Sequence, residues 1–433
     1  MNLNKYRKDL RVQRKEVLLS RIFKSKKERE PLEIIIETEN SRKVKENAAK
    51  QLGKLGKITH VFKTIPYIGI ICTGEDAEQI TNKIYRKNIN RIFEKSFRYS
   101  LNVIKSIDLS NKFSIIPTKS NSKAYFRPKE NLWNLENIGA YEAHKSSRGN
   151  GAKIAIIDTG VDYTHPELSS NFTRKKGHDF IKDDEDPMDE NGHGTHVAGT
   201  SAGKNCGVAP DATLYAVRVL DENGSGSDMT VAAGIEWAML NNIDVASMSL
   251  GGPTASRALE DICRLASQNN VLLVAAAGNN GYGPNYPAAF GDYVIAVAAV
   301  DRENEHASFS NIWETNDISA PGVMIYSCYP GGEYKVWDGT SMATPHISGA
   351  LGLMISKTEK PNLAEETMYK TAKRLESSEP YDNSWIFGAG LVKADNMLNS
   401  AYHNGKIGEI LRRKYNHNNT LKKAGKIAWK IIW

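Results

Sequence analysis

The sequence predicts an α/β fold in which a doubly wound, mostly parallel sheet follows a small α+β domain. From Lys153 onward, short apolar runs alternate with longer segments of helical periodicity, as parallel strands joined by crossover helices do. Between residues 31 and 100, shorter runs of both kinds form a separate unit. A chain of 433 residues is long enough to bury a large core in more than one domain.

The elements of the large unit follow one another in a regular order. The predicted strands are KIAIID, ATLYAVRVL, VASMSL, VLLVAAAG and VIAVAAV, and the predicted helices are DMTVAAGIEWAMLNN and SRALEDICRLASQNN. Continuous apolar runs are typical of strands that are buried on both faces. Helices are therefore expected on both faces of this sheet.

The small unit is predicted to be an open-faced α+β domain. Its expected strands are EIIIE, ITHVFKT, YIGIICT and INRIFEK, and its expected helices cover residues 41–55 and 75–87. Residues 101–130 have no clear periodicity and are predicted to be a linker. The basic N-terminal extension, residues 1–30, has no apolar run typical of a signal peptide, so a cytoplasmic location is the default expectation.

The charges are divided unevenly along the chain. Residues 1–130 carry 30 Lys and Arg against 14 Asp and Glu, residues 131–403 carry 19 against 35, and residues 404–433 carry 8 against 1. Opposite charges on neighbouring segments favour docking within the chain, so no nucleic-acid partner is expected. The four cysteines are scattered without a CxxC pair, which favours free thiols over disulfides.

Two polar motifs follow this pattern of strands and helices. Asp158 closes the strand KIAIID, at the edge of a parallel sheet where functional groups collect, although a simple turn-capping role is also open. His193 and His196 lie in NGHGTHVAGT, and their spacing puts both rings on one face of a helix. That spacing also fits zinc ligation, but no cysteine or HExxH partner supplies the further ligands.

A third motif, DGTSMATPHISGALGLMI, places Ser341 at the start of an apolar helix. The N-terminus of a helix offers amide donors, so a nucleophilic serine is one interpretation and an N-cap serine is the other. A nucleophile elbow of the α/β-hydrolase type is disfavoured, because GTSMA lacks the glycine that GxSxG requires after the serine.

Together, IAIIDTGVDYTHPEL, NGHGTHVAGT and DGTSMATPH resemble the subtilisin-like serine proteases, or subtilases, in the order Asp, His, Ser. GVAPDATLYAVRVLDENGSGS, GIEWAMLNNIDVASMSLGG, VAAAGNNG and ASFSN extend the resemblance over residues 131–401. It implies a subtilisin-like catalytic domain, residues 131–403, whose triad is Asp158, His193 and Ser341. His196 would then be a structural neighbour, and the side chain of Asn279 would serve the oxyanion hole.

The resemblance also implies how peptide or protein substrates bind. Two backbone segments of the family clamp an extended peptide as an added strand, and the matching positions are Gly224, Ser225 and Gly226 on one side and Ser249, Leu250 and Gly251 on the other. Asp228 lies where the family lines the pocket four residues before the cut. A carboxylate there either favours a basic side chain or is merely exposed to solvent.

Residues 31–100 resemble the family's propeptide, which acts as an intramolecular inhibitor until it is cut away, and 101–130 would then contain the maturation cleavage. No cofactor is needed for the chemistry. The family's strong calcium loop is missing, because SAGKNC joins its neighbouring elements directly and leaves Glu167 at the calcium-aspartate position. DFIKDDEDPMD resembles another calcium loop, with Asp179, Asp184 and Asp186 as candidate ligands, although a solvated acidic run is the alternative.

Several interpretations stay open from the sequence alone. Broad degradation and dedicated processing of one partner are equally compatible with the motifs. A non-catalytic module of the same fold would be expected to lack a triad residue, and all three are present. The tail, residues 404–433, combines lysines with tryptophan and isoleucine, which suits weak contact with a membrane surface, docking onto the acidic domain, or a disordered end.

Overall fold

The computed structural model describes residues 21–27, 30–85, 106–109, 111–115 and 132–400. Three predicted segments lie outside these residues: the strand INRIFEK, residues 116–130 of the linker, and the tail. Membrane contact by the tail therefore stays a prediction. Within the described ranges, no helix combines the length and the apolar character needed to cross a membrane.

The described part of the small domain is a four-stranded antiparallel sheet with two helices, and the preceding helical segment 21–27 adds Ile22 to its apolar cluster. Its elements are β1 (Leu32–Glu37), α1 (Arg42–Leu52), β2 (Gly56–Val61), β3 (Tyr67–Cys72), α2 (Gly74–Tyr85) and β4 (Ser106–Leu109), and the strands lie in the order β2, β3, β1, β4. The prediction that residues 101–130 are only a linker was wrong, because β4 pairs with β1 along its whole length. Backbone pairing with a strand distant in sequence stabilises this short segment.

The large domain contains a seven-stranded parallel sheet, which confirms the predicted α/β class. Its strands are β6 (Lys153–Asp158), β7 (Gly177–Asp179), β8 (Thr213–Arg218), β10 (Val245–Met248), β11 (Leu272–Ala276), β12 (Ile295–Val300) and β13 (Ile318–Pro321). They lie in the order β13, β12, β11, β10, β6, β8, β7. Strand order reverses beside β6, so the carboxyl end of β6 is where a crevice is expected.

Both faces of this sheet are buried, as the apolar runs predicted. Along β6, Ile154 and Ile156 belong to one apolar cluster, and Ala155 and Ile157 belong to the cluster on the other face. On the first face pack α5 (His193–Ala202) and α8 (Thr340–Thr358), and on the second pack α6 (Asp228–Leu240) and α7 (Arg257–Gln268).

The remaining described elements lie in the large domain, apart from one short strand that precedes it in the sequence and pairs with it. Two short strands, β5 (Lys112–Ser114) and β9 (Ser225–Ser227), pair with each other, as do β14 (Ile325–Tyr329) and β15 (Glu333–Trp337). The helices are α3 (Trp133–Asn137), α4 (Ala140–Ala143), α9 (Pro361–Thr371) and α10 (Asn383–Phe387), with 3-10 turns at Ser169–Asn171 and Ala288–Tyr293 and a helix over 394–400. The four cysteines are buried and free, as the sequence predicts.

The small domain docks on α6 and α7 through polar contacts. Buried Glu236 of α6 accepts hydrogen bonds from the backbone N–H groups of Lys63 and Thr64, at 3.1 and 2.7 Å, and from the Thr64 hydroxyl. The Tyr67 hydroxyl donates to Asp261 at 2.8 Å. These contacts use carboxylates of the acidic domain, in line with the charge division seen in the sequence, although backbone amides are their main partners.

Candidate active site

Asp158 lies at the carboxyl end of the central strand β6 and is completely buried. Its Oδ1 accepts a hydrogen bond from the backbone N–H of Thr159 at 2.7 Å and lies 2.8 Å from Nδ1 of His193. An ionised carboxylate can only accept, so Nδ1 of His193 carries the proton in this pair. The other ring nitrogen, Nε2, is then an acceptor.

His193 is the first residue of α5 and is only slightly exposed. The residue before it, Gly192, has a φ of 108°, and a Cβ there would lie 2.2 Å from the ring of Tyr329. Glycine is needed at this position for both reasons. The indole of Trp337 stacks on the imidazole of His193 with ring centroids 6.2 Å apart, which restricts the orientation of the ring.

His196 is buried one turn further along α5 and has a structural role. Burial lowers its pKa to about 3, with a smaller contribution from His193, so the ring is neutral. Its Nε2 lies 3.1 Å from the carbonyl oxygens of Ile325 and Lys335, on the two strands of the β14–β15 hairpin. Among the described residues, no three His, Cys, Asp or Glu side chains form a group that could hold a metal ion, which argues against zinc at this motif.

Ser341 is the second residue of α8, a helix that packs against α5. Its hydroxyl donates to the carbonyl oxygen of Ser249 at 3.1 Å, and the Ser249 hydroxyl donates to the carbonyl oxygen of Ser341 at 2.7 Å. In the first turn of a helix the backbone N–H has no intrahelical acceptor. Ser341 thus combines a hydroxyl and an available amide donor at the positive end of the helix.

Asn279 follows strand β11 and contacts the residue before Ser341. Its Oδ1 accepts hydrogen bonds from the backbone N–H and the hydroxyl of Thr340, at 2.9 and 2.7 Å. These bonds fix the amide plane, and Nδ2 lies 3.3 Å from the point where a Cβ on Gly339 would stand. The donor nitrogen of Asn279 therefore lies beside the N-terminus of α8.

A segment of the chain itself occupies the predicted substrate cleft. Strand β5 pairs in antiparallel fashion with β9, and Ser114 exchanges two backbone hydrogen bonds with Gly251, at 3.2 and 3.3 Å. The N–H of Ile115 donates to the carbonyl oxygen of Gly224 at 3.0 Å. Gly224 has a φ of 72°, and a side chain there would clash with Ile115.

The cleft strand runs toward Ser341. Since Ser114 pairs with Gly251 in antiparallel fashion, Ile115 lies on the Ser249 side of that pair. Ser249 in turn contacts Ser341. Phe113 is 1% exposed and packs in the apolar cluster that contains Met229 and Leu250, so the cleft buries an aromatic side chain one residue before Ser114.

Asp228 differs from both sequence-based interpretations, since it is neither exposed to solvent nor paired with a basic side chain. It is the first residue of α6 and is completely buried. Its Oδ2 accepts from the backbone N–H and the side-chain amide of Asn111 and from the N–H of Ser256. The reason is that Asn111 and Ser256 cover it from two sides, which a sequence pattern does not reveal.

The expectation of calcium at Asp179, Asp184 and Asp186 does not fit the structure. Asp179 accepts hydrogen bonds from two backbone N–H groups and lies 3.3 Å from the guanidinium of Arg218, while Asp184 accepts from the N–H of Asp186. Asp186 accepts from the Tyr163 hydroxyl. Protein donors hold both oxygens of Asp179 and one oxygen each of Asp184 and Asp186, and in the part of the chain that the structure describes no three His, Cys, Asp or Glu side chains form a group that could hold a metal ion, so this arrangement does not suit calcium.

Glu167 is also held by protein donors. Its carboxylate accepts from the backbone N–H of Asn205 at 2.6 Å and from the Asn205 side chain at 2.7 Å. Asn205 belongs to the short connection SAGKNC.

Comparison with known proteins gives the family. The family model described as "Subtilase family" matches residues 149–402, which is more than half of the chain. The chain belongs to the subtilase family. Subtilisin Savinase from Lederbergia lenta is 42% identical over 270 residues, which are 61% of this chain and 97% of that protein.

Two further relatives of this subtilase come from Bacillus subtilis. Subtilisin NAT, from the subspecies natto, and Subtilisin E, from strain 168, are each 44% identical over 256 residues, covering 56% of this chain and 65% of the relative. The chain thus spans about two thirds of the length of these two relatives. The alignments with these three relatives cover 56–61% of this chain and leave the rest unmatched.

Two contributors to this site are not indicated by any motif in the sequence. Trp337 stacks on both His193 and His196, at centroid distances of 6.2 and 4.8 Å, but an aromatic residue four positions before a serine carries no recognisable signal. Residues 111–115 were assigned to the linker. Their alternation, with buried Phe113 between exposed Lys112 and Ser114, was a weak strand signal that could have been used.

Proposed function

We propose that this subtilase is a serine endopeptidase that hydrolyses peptide bonds through Asp158, His193 and Ser341. The observation that carries the proposal is the chain's own strand in the cleft, which lies antiparallel to Ser225–Ser227 and runs toward Ser341 as a peptide substrate would. The hydrogen bond between Asp158 and His193, both nearly excluded from solvent, supports it.

In this mechanism the Ser341 hydroxyl turns from the Ser249 carbonyl to Nε2 of His193, which takes its proton as Oγ attacks the scissile carbonyl carbon. Asp158 stabilises the imidazolium that results. The backbone N–H of Ser341 and the side-chain amide of Asn279 donate to the oxyanion. The proton then passes from His193 to the leaving amine. In the second half of the reaction water attacks the acyl-enzyme, His193 takes a proton from that water, and the proton then returns to Oγ of Ser341 as it leaves.

We further propose that the chain is made as a self-processed proenzyme. The small domain docks on α6 and α7 while the cleft strand blocks the substrate site, so the domain inhibits the enzyme to which it is attached. Protein and peptide substrates would bind in place of this strand. Cleavage is expected after Ile115 and before Leu132, between the cleft strand and the large domain.

The test compares Ser341→Ala with a matched control, Ser348→Ala, on the same helix. Ser348 is buried and donates only to the carbonyl oxygen of Thr344, so its loss should leave activity intact. We expect Ser341→Ala to stay at full length, to hydrolyse no peptide and to escape labelling by serine-directed covalent inhibitors. Normal processing of purified Ser341→Ala would show that another group cuts the chain, and N-terminal sequencing of the processed control gives the cut site.

A further inference from the structure

The carboxylate of Asp228 makes an unusual contact with the cleft strand, beyond the pocket that holds Phe113. Asp228 and Asn111 share three hydrogen bonds. Oδ2 accepts from the backbone N–H of Asn111 at 3.2 Å and from its side-chain Nδ2 at 2.8 Å, and the N–H of Asp228 donates to the carbonyl oxygen of Asn111 at 2.9 Å. The side chain of Asn111 is therefore bound as well as its backbone.

The surroundings of Asp228 restrict which side chain fits beside it. Asp228 is completely buried, and Oδ2 also accepts from the N–H of Ser256 at 2.8 Å. An asparagine brings an NH₂ donor and no charge. An aspartate of almost the same shape brings a second acceptor and a second negative charge beside the buried Asp228 carboxylate, which is unfavourable.

Apolar side chains fit less well than asparagine. Alanine or leucine would leave the buried carboxylate without its side-chain donor, and loss of a hydrogen bond to a charged group commonly costs about tenfold or more in binding. Burial raises the pKa of Asp228 to about 7, while the hydrogen bonds from Asn111 and Ser256 act in the opposite direction by favouring the ionised form.

We propose that Asp228 is a specificity-determining residue that selects an asparagine side chain two residues before the aromatic residue held in the cleft. The cleft strand meets this requirement with Asn111 and Phe113. The inference rests on the proposed peptidase function, because it assumes that substrates bind where the cleft strand lies. It predicts that extended substrates of the form Asn-x-aromatic are preferred.

The first experiment needs no catalysis and uses the full chain with Ser341→Ala. Hydrogen exchange is followed at residues 111–115 in the parent, in Asn111→Asp, in Lys112→Ala and in the swapped pair Asn111→Asp with Asp228→Asn. We expect Asn111→Asp to lose protection by about tenfold or more. Lys112→Ala, whose side chain is exposed, should change nothing. In the swapped pair the side-chain oxygen at position 228 must still accept from the backbone N–H groups of residues 111 and 256, so it faces the new carboxylate without a donor and protection should stay low.

The second experiment measures kcat/KM for the processed enzyme. The peptides are Asn-Lys-Phe-Ser-Ile-Ile with a reporter leaving group, its Asp-Lys version, and the shorter Phe-Ser-Ile-Ile, which does not reach Asp228. We expect the asparagine peptide to be favoured over the aspartate peptide by about tenfold or more, and this preference to vanish in Asp228→Asn.

The outcomes separate the two proposals. Equal protection of Asn111→Asp and the parent, or equal kcat/KM for the two longer peptides, would overturn the role of Asp228. Failure to hydrolyse even the short peptide would instead overturn the proposed peptidase function, and the exchange experiment would still decide whether Asp228 distinguishes asparagine from aspartate.

Discussion

Glu236 is expected to be the main polar anchor of the small domain, and Glu236→Ala tests this. Its carboxylate accepts from two backbone N–H groups and one hydroxyl, and Nε2 of His60 lies 3.5 Å away. Hydrogen bonds to a charged group contribute about 1.5–3 kcal/mol each when buried. Lys63 and Thr64 are partly exposed, so water replaces part of what is lost. We therefore expect docking to weaken by about 2–3 kcal/mol, or about 30- to 150-fold.

The assay is hydrogen exchange at β2 and β3 in the full chain with Ser341→Ala, which keeps the small domain attached. We expect Glu236→Ala to exchange about 30- to 150-fold faster at these strands. Glu260→Ala provides the control, since Glu260 is an exposed glutamate on the neighbouring helix α7. If the two variants exchange alike, the apolar packing of the small domain, and not Glu236, holds it in place.

The same contact should make docking sensitive to acid. Burial acts to raise the pKa of Glu236, but the nearby imidazole of His60 and the hydrogen bonds from Thr64 and Lys63 outweigh it and lower the pKa below the ordinary 4.5. A carboxyl group whose pKa is lowered in the folded state adds stability above its unfolded pKa and loses it as pH falls through the folded value. Exchange at β2 should therefore rise only below about pH 4.5, and Glu236→Gln should remove that step.

Two further predictions concern the catalytic groups and calcium. Asn279→Ala should lower kcat far more than it changes KM, by about the 10²–10³-fold that loss of such a donor costs in subtilisin, measured with a short peptide on the processed enzyme; an unchanged kcat would mean that the amide does not contact the oxyanion. Added calcium or a chelator should leave the melting temperature unchanged, since protein donors hold Asp179, Asp184 and Asp186. A rise with calcium would reveal a site elsewhere in the chain.

Elements set by local pattern could be predicted from the sequence, and the strands of the large sheet illustrate this. The run KIAIID forms β6 with the predicted bounds, and the helices predicted at 228–242 and 256–270 begin and end within two residues of α6 and α7. A buried parallel strand is an unbroken apolar run, and Ser256 caps α7 by accepting from the N–H of Leu259. Both signals lie within the segment itself.

Elements set by distant partners could not be predicted in this way. The four residues of β4 are a strand because β1, some seventy positions earlier, offers an edge. Asp228 is buried because Asn111, 117 positions away, covers it. The motif resemblance identified Asp158 and His193, which are 35 positions apart in the sequence. A resemblance, however, can identify only those residues that this chain has in common with the family. The alternation around Phe113 was only a weak signal for the cleft strand, and its pairing with β9 and the contact of Asn111 with Asp228 are visible only in the structure.

Two separate sets of contacts hold the small domain and the cleft strand on the large domain. The contacts of Glu236 and Asp261 lie on α6 and α7, whereas β5 lies in the cleft, and neither set depends on the peptide bonds after Ile115. While the chain is intact, the cleft strand competes with substrates at an effective concentration in the millimolar range. Cleavage alone removes that advantage but breaks none of these hydrogen bonds. Inhibition should therefore outlast the cut and end only when the small domain dissociates or is digested, so activity should lag behind the appearance of the processed chain.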